Sequence, residues 1–162
     1  MSARPLLQVL PGYADVEPLV SFCGHCAHRP APEHAGTRVC TNCHLGLIVS
    51  APASVAPTTK EAFLLVDGRM QICAVSRRAE KLLGAAEVET VGRPVAEILV
   101  PADAEVAGTE SLATTIVHAA RGDGSVTDDF VLRPVGEWGI RWFTRVGPCG
   151  NNAALIVLAP DG

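Results

Sequence analysis

Four cysteines carry the clearest chemistry in this sequence. Cys23 and Cys26 flank Gly24-His25, and Cys40 and Cys43 flank Thr41-Asn42 further along the chain. Two thiols separated by two residues can grip one side of a metal ion, and two such pairs complete a tetrahedron. Four protein sulfurs leave no open position for water or substrate, so the expected centre is structural. Tetrahedral sulfur suits zinc and also iron; zinc is the expected ion and iron the alternative. Cys73 and Cys149 stand alone and are expected as small buried hydrophobes.

Other uses of these residues are weaker. Cys40-Thr41-Asn42-Cys43-His44 has the spacing of a c-type haem attachment site, but that use leaves Cys23 and Cys26 without a role. It also calls for export, and the stretch from Met1 to Leu10, broken by Pro5 and followed by Pro11, has no apolar run of signal-peptide length. His25, His28, His34 and His44 are read as solvated groups or as hydrogen-bonding neighbours of the ligands. The longest nearly uninterrupted apolar run, Ala153 to Ala159, falls far short of the roughly 20 residues a spanning helix needs. The expected location is cytoplasmic, with no membrane, and a reducing compartment favours cysteine ligands over disulfides.

The elements that hold the four thiols must be short. About thirty residues bury too little apolar surface to offset chain entropy, so a module at 20–50 needs its metal to fold. Cys-x2-Cys, a spacer, then Arg38-Val39-Cys40-x2-Cys43 followed by Leu45-Gly46-Leu47 resembles a zinc ribbon, in which two hairpin tips present paired thiolates. Ala27 and His44 depart from the glycines often found there. Residues 1–19 read as an N-terminal arm, and the uncharged Pro/Ala/Ser/Thr stretch at 51–58 as a linker. A second, larger domain is expected from 59 to 162.

In that second domain Ala62 to Val66 and Arg69 to Val75 form a hairpin signal around Asp67-Gly68, a pair that tolerates positive φ. Ser76 can cap a short helix carrying Ala79, Leu82 and Leu83 on one face, and Gly84 ends it. Val91-Gly92-Arg93-Pro94 leads to a second short apolar segment, Val95 to Val100. A longer helix is expected from about Ser111 to Arg121, then strands at Val126–Val135, Trp138–Val146 and Ala153–Ala159. The order β-β-α-α-α-β-β-β suits an α+β fold, an antiparallel sheet with helices on one face. Phe63-Leu-Leu-Val-Asp-Gly-Arg-Met-Gln-Ile, the capped helix ending Glu80-Lys-Leu-Leu-Gly84, Val91-Gly92-Arg93-Pro94, Asp123-Gly124 and the Arg141-Trp142 strand together resemble a PAS domain over about residues 58–160.

The PAS resemblance implies a sensor or interaction module: a curved five-stranded sheet cupping a small pocket, often dimeric through the outer sheet face or an N-terminal segment. Alternation over residues 140–146 places Ile140, Trp142, Thr144 and Val146 inward, and Arg141, Phe143 and Arg145 on the outer face as a possible contact surface. No Asn-Cys-Arg-Phe-Leu-Gln flavin motif occurs. His118, the one histidine after residue 44, falls on the helix face opposite Leu112, Ile116 and Ala119, so a haem or other pocket ligand has no support beyond the fold.

A formal charge of −4 argues against coating nucleic acid, and the metal module, with Arg29, Glu33 and Arg38 beside about −2 from a zinc tetrathiolate, is not basic. No catalytic triad or phosphate loop is found, so the chain is not expected to be an enzyme. The leading expectation is a cytoplasmic sensory or regulatory PAS protein with a structural zinc. It would be a homodimer, respond to a small molecule or redox state, and signal by contact with another, unidentified protein. The alternatives are a non-sensing scaffold or assembly module and a rubredoxin-like iron electron carrier.

Overall fold

The computed structural model describes residues 16–102, 111–123 and 125–159. Most of the expected N-terminal arm lies outside them. The first strands, β1 (Leu19–Cys23) and β2 (Ile48–Pro52), pair antiparallel from Leu19 opposite Pro52 to Cys23 opposite Ile48, and close a loop that holds the four cysteines. The chain then builds one curled antiparallel sheet in an α+β arrangement. Its strands are β3 (Ala62–Asp67), β4 (Ile72–Val75), β5 (Leu99–Pro101), β6 (Thr127–Pro134), β7 (Trp142–Cys149) and β8 (Ala153–Ala159), in the spatial order β4-β3-β8-β7-β6-β5.

The expected five-stranded sheet thus has a sixth strand. Val95 to Val100 divides into a 3-10 turn at Val95–Glu97 and β5, whose Leu99, Val100 and Pro101 pair with Pro134, Arg133 and Leu132 of β6. Three residues ending in proline are tolerable because this is the sheet edge, where a missing N–H breaks no ladder. At the other edge the backbone of β4 is occupied by the segment that follows α1: Ile72 N–H donates to Arg93 O (3.0 Å), Gly92 N–H to Ile72 O (2.8 Å) and Val75 N–H to a Glu87 carboxylate oxygen (3.2 Å). That cover removes an open strand template.

The helices are placed by their caps. In α1 (Arg77–Leu83) Ser76 Oγ accepts from Ala79 N, and Gly84 closes the helix at φ 62°. Ser111 caps α3 (Leu112–Ala120) in the same way through Thr114 N; between them lies the single turn α2 (Glu87–Thr90). The β3–β4 turn differs from expectation. Gly68 is not its left-handed residue; Met70 is, at φ 67°, because one Asp67 carboxylate oxygen accepts from both Arg69 N (2.8 Å) and Gln71 N (3.0 Å) and winds the loop one residue longer.

One sheet face meets the helices. Leu64, Val66, Ile156, Leu158, Leu132 and Val146 pack there with Ala79 of α1 and with Leu112, Ile116 and Ala119 of α3. Trp142 and Thr144 point the same way and are buried, whereas Phe143 on the alternate side is 58% exposed. The alternation expected for this strand therefore holds from 142 to 146, while Ile140 precedes β7 and is exposed.

The opposite face is covered by the cysteine-bearing hairpin. Phe63, Leu65, Leu155 and Val157 meet Phe22, Ala51, Val55 and Ala56, with Phe22 and Phe63 edge to face at 5.6 Å. Full burial of each large side chain contributes roughly 1.5–3 kcal/mol. Val55 fits because residue 147 is glycine: a Cβ there would come within 3.0 Å of Val55 Cγ1 and Val126 Cγ2. The 51–58 stretch is thus a packed connection: Ala51 and Pro52 belong to β2, and Val55 and Ala56 are buried. Cys149 is buried in this interface as expected, and burial pushes its thiol up to about 12. Cys73, expected inside, is exposed, since it alternates outward on an edge strand. Among the described residues no helix is long and apolar enough to cross a membrane.

At the margin of this interface Arg145 donates from both terminal nitrogens to the two oxygens of Glu61, at 2.8 and 3.1 Å, and Glu61 also accepts from Thr58 N. Burial pushes the Glu61 carboxyl up, but the Arg145 hydrogen bonds and the Thr58 amide outweigh it and hold the group below its ordinary 4.5. A depressed carboxylate stabilises the fold above the unfolded value and loses that contribution as pH falls through the folded one. Stability should therefore decline below about pH 4.5. Glu61→Gln should cost about 1–2 kcal/mol at neutral pH and flatten that acid limb in denaturant titrations; an unchanged limb would place the sensitivity elsewhere. Trp142→Ala should cost about 3–5 kcal/mol, against less than about 1 for Phe143→Ala, in the same titrations.

Candidate metal centre

Both halves of the cysteine cluster are built by the same backbone device. Cys23 lies at the end of β1 and Cys26 on the turn that follows; Ala27 N–H donates back to Cys23 O (3.0 Å). Cys40 and Cys43 repeat it, with His44 N–H donating to Cys40 O (3.0 Å). In each turn the residue four places after the first cysteine takes a left-handed conformation, Ala27 at φ 63° and His44 at φ 57°. These are the two positions where glycine is the commoner choice. The turn geometry survives the substitutions at a cost of about 1–2 kcal/mol per residue. The histidine is the milder of the two, since His is enriched in this region.

The turns aim amides at sulfur. His25 N and Cys26 N lie 3.3 and 3.4 Å from Cys23 Sγ, and Asn42 N lies 3.4 Å from Cys40 Sγ, the equivalent position in the second turn. Asn42 Nδ2 reaches Cys26 Sγ at 3.7 Å. Such donors stabilise thiolate charge. Gly46 lets the two turns close: a Cβ there would overlap Cys23 Sγ and sit 2.7 Å from His25 Cβ and 2.9 Å from His25 N.

All four sulfurs lie within 4.8 Å of one another, with Cys23 to Cys43 at 3.6 Å and Cys26 to Cys40 at 3.8 Å. A tetrahedral ion with metal–sulfur bonds of about 2.3 Å has edges of about 3.8 Å, so Cys23, Cys26, Cys40 and Cys43 fit a four-thiolate ion such as zinc. Cys23 and Cys43 behave as one acid pair. Burial pushes Cys23 up to about 12; for Cys43 burial also raises, but the Gly46 and Leu45 amides and the neighbouring thiols prevail and bring it to about 6. A cation bound between the sulfurs would favour the thiolate form of both.

The surroundings explain which candidate residues take part. His44 and His34 are exposed, and His28 is half-buried; the cluster comprises cysteines alone. His25 is a joint. Its carbonyl accepts from Arg77 N (2.8 Å) at the start of α1, and its Nδ1, buried with no hydrogen-bond partner, lies 4.0 Å from a Glu87 oxygen. His118 is exposed on α3. Of the outer-face residues, Arg141 and Phe143 are exposed and Arg145 is engaged by Glu61. Burial and the Asp67 charge push the Cys73 thiol up, so its exposure does not make it reactive. Sequence reasoning missed Gly46, although its place two residues before the returning strand marks a close approach.

Cys40→Ser should abolish stoichiometric metal binding and open residues 20–50 to protease. His44→Gly should keep the ion and lose no stability, having relieved a left-handed side chain; retained metal in the serine variant, or lost metal in the glycine variant, would each contradict the four-thiolate centre.

Neither a protein-family model nor a curated protein matches this chain, so the role of the centre is argued from its own geometry.

Proposed function

We propose that this chain is a cytoplasmic sensory or regulatory protein of the PAS type, in which four cysteines hold a structural zinc and the output is contact with another protein. The observation that carries the reading is a closed four-sulfur cluster seated on a curled sheet whose other face holds the helices. A closed centre offers no vacant coordination site for hydrolysis, which supports stabilisation and binding rather than catalysis. The zinc-ribbon likeness is supported by the paired turns and their sulfur-directed amides.

A small-molecule input is supported by one polar atom in the helix-side core. Thr115 Oγ1 is buried without a hydrogen-bond partner, a state that costs about 1–3 kcal/mol unless something satisfies it. A homodimer is supported by the uncovered part of the outer face, where Phe143 is exposed beside its cross-strand neighbour Val131. The second reading, a non-sensing scaffold, draws on Leu112, Ile116 and Ala119 of α3 packing directly into the sheet.

Native mass spectrometry of protein from its own host tests these together. A dimer carrying one zinc per chain and a retained small molecule is the expected result. A zinc dimer without any ligand favours the scaffold, a coloured iron form favours electron transfer, and a metal-free monomer overturns the proposal.

A further inference from the structure

Cations are unevenly placed on this acidic chain. Its only two lysines, Lys60 and Lys81, both line one cavity of about 300 Å³ together with Arg78. The floor of that cavity is apolar, made by Ala62, Leu82 and Leu158. A second cavity of about 400 Å³ shares Arg78 and Lys81, adds Arg77, and runs on to His28 and Asn42 of the metal module. Arg78 and Lys81 belong to both, so four fixed cations line this paired groove.

The acids nearby are already committed. Glu61, which lines the second cavity, is neutralised by Arg145, and Glu80 accepts from Glu87 N. Arg78 is held by its Nε donating to Thr59 O at 2.6 Å. Among the described residues Lys60 and Lys81 make no ion pair. One end of the groove belongs to the metal module and the other to α1 and β3, joined where Arg77 N donates to His25 O. Only the second cavity reaches the module; the first is lined by residues of the 51–60 connection, β3, α1 and β8.

We infer that this groove docks an acidic segment of a partner protein, its carboxylates on Lys60, Arg78 and Lys81 and an apolar side chain over Leu82. Charge complementarity selects the ligand: four cations on a protein of net charge −4 attract a short acidic chain. Nucleic acid fits less well, because its affinity grows with the number of phosphates neutralised and this track is short. The apolar floor rewards a leucine-like anchor, which a sugar-phosphate backbone lacks. The inference deepens the proposed protein-contact role by naming a surface and the chemistry of its partner.

The test uses the full, metal-loaded chain and a fluorescent peptide repeating Glu-Glu-Leu, with a Lys-Lys-Leu peptide and oligothymidine of equal length as controls. Saturable binding of the acidic peptide alone, weakening with salt, is expected. The exposed-surface variant Lys60→Glu/Lys81→Glu should bind at least about tenfold more weakly while keeping its metal and melting temperature. Unchanged affinity in that variant, tighter binding of oligothymidine, or no saturation up to millimolar peptide would each overturn the inference. If the variant also loses its metal, Lys60→Gln/Lys81→Gln removes both charges at the same two exposed side chains. Because metal content is read separately, failure of the groove leaves the zinc and PAS reading standing.

Discussion

The constraint on which the structure depends is that its two central strands are apolar on both sides. Ala62-Phe63-Leu64-Leu65-Val66 of β3 and Ala154-Leu155-Ile156-Val157-Leu158 of β8 lie side by side, and every one of these residues is buried. A solvated antiparallel sheet alternates apolar with polar; a sheet with two apolar faces must be covered twice. The helices supply one cover. Too few elements remain for a second helical layer, so the second cover is the β1–β2 hairpin and its cysteine loop. The metal centre is thus tied to the main sheet through packing rather than hung from it by a linker.

That tie couples the cysteine cluster to the packing of the sheet. A loop from Gly24 to Leu47 has little apolar content of its own, and its exposed Val39, Leu45 and Leu47 show that it does not build a separate core. Its order comes from two sources, the thiolate cluster within and the Phe22, Ala51, Val55 and Ala56 contacts beneath. The backbone couples them. Cys23 adjoins Phe22, and His25, between the first two ligands, gives its carbonyl to α1 and its ring to the neighbourhood of Glu87. A metal held by this cluster and the interface packing would therefore stabilise one another, as linkage requires when both exist only in the folded state.

Much of this was legible before the structure. Paired cysteines at two-residue spacing named the cluster, because few other arrangements place four sulfurs within one coordination sphere. Ser76, Ser111 and Gly84 marked helix ends, because caps are local chemistry. The docking of the module was written less plainly. The unbroken apolar runs at 62–66 and 153–159 were the signal, since one-sided strands do not need Leu65 or Val157 to be apolar. The left-handed residue of the β3–β4 turn was not legible from Asp67-Gly68, because the Asp67 carboxylate redirects two amides and moves the strained position to Met70. β5 was read only as part of the apolar segment Val95 to Val100, because three residues carry almost no periodicity, and Cys73 was expected inside because burial on an edge strand depends on what lies outside it.

The same two-sided burial bears on how such a fold could associate. A free outer sheet face would offer Phe63, Leu65, Leu155 and Val157 as a broad apolar surface, the kind that drives association between sheets. Here the chain covers that area itself and leaves a narrower strip around Val131 and Phe143, bounded by the Arg145–Glu61 pair. An ion pair with both oxygens engaged is costly to bury without its partner, so the boundary resists extension of an apolar contact past β7. Self-association through this face is therefore confined to the β6–β7 side. The cation-lined cavities lie beside α1, away from this strip.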